Sequence, residues 1–72
     1  MYTQKIIKLL NLVAPMVVEF ESQGPHEITI NFMDVNFTMN GRDWKDVVKE
    51  EFPDDKLEFW GGDENWMTVK FR

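Results

Sequence analysis

Seven carboxylates crowd the stretch from Lys49 to Met67, KEEFPDDKLEFWGGDENWM: Glu50, Glu51, Asp54, Asp55, Glu58, Asp63 and Glu64, against only Lys49 and Lys56. Trp60 and Trp66 flank a Gly-Gly pair in the same stretch. Acids at this density could act as general acids and bases, hold a hard cation, or meet the cationic groups of a partner. Hydrolysis by paired carboxylates needs two acids fixed across a substrate cleft, and a chain of 72 residues has little volume for one. A calcium loop needs oxygen ligands at alternate positions, a glycine turn and a closing bidentate Glu; PDDKLE and DENW lack that spacing.

Nucleophilic chemistry finds no support either. The single serine, Ser22, lies in a turn-forming SQGPH segment, there is no cysteine, and His26 stands alone beside Pro25. Gly61-Gly62 does not open a helix, so it reads as a turn and not a phosphate cradle. Asn36-Phe37-Thr38 fits the glycosylation pattern, but no secretion signal accompanies it. These residues point to a protein that is not an enzyme, with no catalytic residue, no metal ligand and no cofactor.

Binding is what remains. The net charge is -5, and Asp43–Asn65 alone carries nine acids and three bases, so the excess sits in one stretch. Such a stretch repels phosphate backbones and anionic lipid heads, which speaks against direct nucleic-acid or membrane contact. It either solubilises the chain or forms an anionic docking face for a basic, nucleic-acid-binding protein. Glu50, Glu51, Asp54, Asp55, Glu58, Asp63 and Glu64 would supply the charge. Trp60 and Trp66 would serve as apolar anchors, or as a cross-strand pair that stabilises a hairpin. A base-stacking role for them requires a positive groove, and this region has the opposite sign. In size and charge balance the chain resembles small phage-encoded inhibitors of host defence nucleases, anti-CRISPR proteins among them; the resemblance is one of composition. It implies a DNA mimic that blocks a basic groove. The other expectation is a structural or homodimeric protein using an apolar helix face or a strand edge.

The elements that must position these residues follow from periodicity. Ile6, Leu9, Leu10 and Val13 recur at helical spacing, with Thr3 as N-cap and Leu12 toward the polar side. Pro15 should end this helix, although Val17 and Phe20 would continue its period through a kink. Met16–Glu21 alternates as a strand, with Met16, Val18 and Phe20 on one face. Glu27–Phe32 alternates with Ile28, Ile30 and Phe32 inward. The phase then slips at Met33-Asp34, and Val35, Phe37 and Met39 become the apolar set. That pattern predicts a three-stranded meander, or a hairpin with one long bent strand.

Asn40-Gly41 is a turn, and Asp43 caps a second helix from Trp44 to about Phe52, stopped by Pro53. Trp44, Val47, Val48 and Phe52 form its inward stripe. Leu57–Trp60 and Trp66–Phe71 form a closing hairpin across GGDEN; Met67, Val69 and Phe71 face inward, which sends Trp60 and Trp66 to the outer face. The expected architecture is a single α+β domain, 1–72, of order α-β-β-β-α-β-β, with two helices on one face of an antiparallel sheet.

Hydrophobic residues make up 43% of the chain, enough to exclude disorder. The absence of cysteine suits a reducing cytosol. The apolar run near the amino terminus is broken by Lys8 and Asn11 and followed by no small-residue cleavage site, so it belongs to the folded domain and not to a leader.

Overall fold

The structure, a computed structural model, describes residues 3–72. It is an α+β fold in which a four-stranded antiparallel sheet carries both helices on one face. Helix α1 (Gln4–Val13) starts where the Thr3 hydroxyl accepts the Ile6 N–H at 3.3 Å, closing one of the four donors left open at a helix start. Its buried stripe is Ile6, Leu9 and Val13. The helix ends before Pro15 in a 3-10 turn over Ala14–Met16, the break that the pyrrolidine ring dictates.

Strands β1 (Val17–Gly24) and β2 (Glu27–Phe32) form a hairpin across Pro25-His26. In β2 the alternation holds without exception: Ile28, Ile30 and Phe32 are buried, and Glu27, Thr29 and Asn31 face away. In β1 the expected inward set is displaced. A bulge between Val17 and Glu19 puts Val17 opposite Phe32 and leaves Val18 exposed, while Phe20 stays opposite Ile30. One extra residue in the strand shifts the phase, as a bulge must.

The expected third strand of a meander does not form. After β2 the chain leaves the sheet: Asp34 Oδ1 accepts the Asn36 N–H at 2.9 Å, and the Phe37 N–H returns to the Asp34 carbonyl. This Asx-type turn supplies the backbone with a local alternative to a ladder. The Val35, Phe37 and Met39 side chains still reach the core, so the alternation marked burial correctly but not strand pairing. Only Thr38–Met39 (β3) pairs, with Arg42–Asp43 (β4), in a separate two-stranded ribbon. Asn40 and Gly41 sit at φ 54° and 76°, the left-handed pair that such a two-residue hairpin requires. The same segment lies beside the end of α1 and half-buries Leu12, which therefore packs on the core instead of on the polar side.

Helix α2 (Trp44–Glu51) is capped by Asp43, whose carboxylate accepts the Lys45 N–H at 2.9 Å. Trp44 and Val48 are fully buried, and Phe52 packs edge-on against Phe71. Strands β5 (Leu57–Gly61) and β6 (Trp66–Phe71) close the fold, giving the sheet order β1-β2-β6-β5. Trp44 is the centre of the aromatic core. It stacks on Phe37 at 5.3 Å, meets Phe32 and Phe59, and donates its indole N–H to the Val35 carbonyl at 2.8 Å. That bond satisfies the one polar atom which burying a tryptophan introduces. No helix among the described residues is long and apolar enough to cross a membrane.

Candidate site on the open face of the sheet

With both helices on one face, the residues that alternate away from the core line an uncovered outer face. The strand register orders them in rows. Glu19, Asn31 and Trp66 form the first row; Glu21, Thr29, Thr68 and Trp60 the second; Glu27, Lys70 and Glu58 the third. Thr29 and Thr68 share a hydrogen bond of 2.9 Å at the centre. Trp60 is 59% exposed, and Trp66 is half-buried. Both tryptophans are on the outer face, as the hairpin pattern predicts. They are not directly opposite each other: Trp60 faces Thr68, while Trp66 lies across from Gly62, whose N–H donates to the Trp66 carbonyl.

The seven acids of the Lys49–Met67 stretch do not gather into one field. Glu50 is gripped by both guanidinium nitrogens of Arg42 at 2.7 and 2.8 Å. Glu51 stands 3.7 Å from Lys8, Asp55 is paired with Lys5, and Glu58 with Arg72. These lysines come from α1, which lies beside the end of α2, so tertiary packing brings cations to acids that are far from them in sequence. The hydrogen bonds from Arg42, then its charge, hold Glu50 below the usual carboxylate range. The hydrogen bond from Arg72 does the same for Glu58. Asp54 has no cation partner among the described residues and lies exposed in the loop after α2, apart from the open face.

Asp63 and Glu64 are different. They occupy the exposed turn between β5 and β6 and have no cation partner among the described residues. Three further acids without a cation partner among the described residues lie toward that end of the sheet, Glu19 in the first row and Glu21 in the second. Glu19 and Glu21 project from β1 on the outer face, and Asp34 lies in the loop that leaves β2. Asn65 ties this loop to the turn: its carbonyl accepts the Phe32 N–H, its side-chain amide donates to the Met33 carbonyl, and its side-chain oxygen accepts the Val35 N–H. Glu19 is two strands from Trp66, about 10 Å at ordinary strand spacing, close to one Debye length at physiological salt. Exposed Val18 and Met33 lie at this end too. The far end of the face is neutralised by Lys70 with Glu27 and Arg72 with Glu58.

The outer face is thus polarised: the first two rows and their adjoining loops carry Trp66, Trp60 and five carboxylates that no cation among the described residues meets, and the third row carries ion pairs. Glu19, Glu21 and Asp34 lie outside the stretch that composition singles out. The signal for Glu19 and Glu21 was present in the outward half of the β1 alternation, but only the register brings them to the side of the face that carries Trp66; Asp34 comes there through the loop that Asn65 ties to the β5–β6 turn. Comparison with known protein families, with curated proteins and with solved structures found no match.

Proposed function

We propose that the protein is a binding module that docks the Trp60–Trp66 end of its open sheet face onto a basic surface of another protein, in its most specific form the nucleic-acid-binding groove of a protein it inhibits. The supporting observation is the set of five unpaired acids, Glu19, Glu21, Asp34, Asp63 and Glu64, around two outward tryptophans on a face no other element covers. Carboxylates held on rigid strands compete for the Lys and Arg side chains that otherwise grip phosphates. Trp60 offers its ring to a cation or an apolar anchor, and tryptophan dominates the energy of many interfaces. In this reading Glu50, Glu51, Asp55 and Glu58 contribute little, because their charges are already met within the fold.

The division of labour is kinetic. The acids raise the association rate by steering, and the tryptophans slow dissociation. Wild-type protein and the quadruple variant E19K/E21K/D63K/E64K serve as parallel baits in the native host, followed by association kinetics with the purified partner. The wild type should bind with an on-rate that falls at least about tenfold from low to high salt, and duplex DNA should compete. A partner that binds the reversed variant equally well, or holds DNA and this protein together, would place the interface elsewhere.

A further inference from the structure

The two edges of the sheet are built differently. β1 is bulged at both ends of its central segment, between Val17 and Glu19 and between Ser22 and Gly24, and carries Glu19 and Glu21. Bulges and charges are the usual devices that stop an edge from pairing with another chain. β5 has neither a bulge nor a proline, and its register with β6 is unbroken from Leu57 to Gly61. Its sequence, Leu-Glu-Phe-Trp-Gly, holds a single charge, and that one is paired with Arg72.

The direction of its backbone groups follows from the bonds to β6. Gly62 donates to Trp66, and Lys56 and Arg72 exchange both bonds. Even-numbered residues therefore turn their amides toward β6, and by alternation Leu57, Phe59 and Gly61 turn theirs to the free edge. None of these three has another backbone partner among the described residues.

We infer that β5 pairs with β5 of a second copy of this chain, antiparallel, about a two-fold axis through Phe59. This register is self-complementary. Phe59 exchanges N–H and C=O bonds with Phe59 of the other copy, and Leu57 does so with Gly61, so every outward group of the edge is satisfied. Glu58 of one protomer falls opposite Trp60 of the other. The Trp60 indole N–H already donates to the Glu58 carboxylate within one chain, at 3.3 Å, so the same donor and acceptor meet across the axis. The two Trp60 rings are diagonal neighbours, within aromatic reach. Two of the cations near this edge are engaged in their own protomer, Lys49 over the Phe59 ring on the helix side and Arg72 on Glu58; exposed Lys56, just before β5, falls opposite Gly62 of the other copy, where no side chain meets it. Pairing through β1 would instead bring four glutamates onto one face. The result is a continuous eight-stranded sheet with all helices on one side.

The inference is independent of the proposed partner and is tested on the protein alone. Sedimentation equilibrium up to about 1 mM reads a contact as small as one short strand pair, with amide exchange measured at low and high concentration. A monomer–dimer equilibrium is expected, with exchange at Leu57, Phe59 and Gly61 slowed at least about tenfold as dimer forms. W60E sets glutamate against Glu58 across the axis and should stay monomeric, as should G61P, which removes one outward donor; circular dichroism establishes that each is folded. A monomer throughout the range overturns the inference. So does a dimer that leaves those three amides unprotected, or one that survives in folded W60E and G61P.

Discussion

Replacing Trp44 by phenylalanine tests the structural premise beneath the open face, that one tryptophan of the three belongs to the core while Trp60 and Trp66 look outward. Trp44 has no exposed surface and touches Phe32, Phe37 and Phe59. W44F removes the indole N–H bond to Val35, worth about 1 kcal/mol net. It also removes part of a ring from a packed site; a residual void of about 40 Å³ costs on the order of 1 kcal/mol, and the lost burial of apolar surface adds about 0.5–1 kcal/mol. The sum is about 2–3 kcal/mol, against a total stability of about 4–11 kcal/mol for a domain of this length. The variant should stay folded, with its melting temperature lowered by about 10–20 °C. W60F, at a site 59% exposed, should change stability by no more than about 0.5 kcal/mol. Urea unfolding followed by far-ultraviolet circular dichroism measures both. If W44F and W60F cost the same within about 0.5 kcal/mol, the assignment of Trp44 to the core and Trp60 to the surface fails, and the open-face site fails with it.

Two further outcomes follow from local geometry. Glu50, Glu58 and Asp43 are all held below their ordinary range in the folded protein, so the stability they contribute is complete above their unfolded values and is lost as pH falls through the folded ones. Melting temperature should therefore drop on acidification below the carboxylate range, and E50Q should flatten that limb; an acid limb identical in E50Q and wild type would mean that the Arg42 fork contributes nothing in solution. G41A should destabilise by about 1 kcal/mol through backbone strain alone, because Gly41 sits at φ 76° while a Cβ there meets nothing within 4 Å; G61A, at a position without positive φ and with the same open space, should be close to neutral in the same thermal melt.

Much of this molecule is local physics and is readable from residue order. The Thr3 and Asp43 caps, the stop at Pro15, the Asn40-Gly41 turn and the strict alternations of β2 and β6 depend on neighbours a few positions away. In and just after α2, helical spacing places Trp44, Val48 and Phe52 in the core as expected, while Val47, expected in the same stripe, is only half-buried and outside the core cluster. The segment from Met33 to Met39 shows the limit: its alternation correctly marked what is buried, but an Asx turn at Asp34 took its backbone out of the sheet. The bulge at Val18 is a similar case, since one inserted residue leaves almost no trace in composition.

The binding face depended on the tertiary structure altogether. In the sequence, charge density points to Glu50, Glu51, Asp54 and Asp55 as readily as to Asp63 and Glu64. Folding separates them: α1 delivers Lys5 to Asp55 and Lys8 to Glu51, and Arg42 holds Glu50, while no cation among the described residues meets Asp63 or Glu64, and Asp54 stays unmet but away from the open face. Pairing β1 to β2 and β2 to β6 then adds Glu19 and Glu21 to the side of Trp66 from more than forty positions away. Residue order alone determines how many charges the chain carries and which faces of each element are wet; Coulomb energy depends on distances in space, so only the packed structure decides which of those charges are left unanswered.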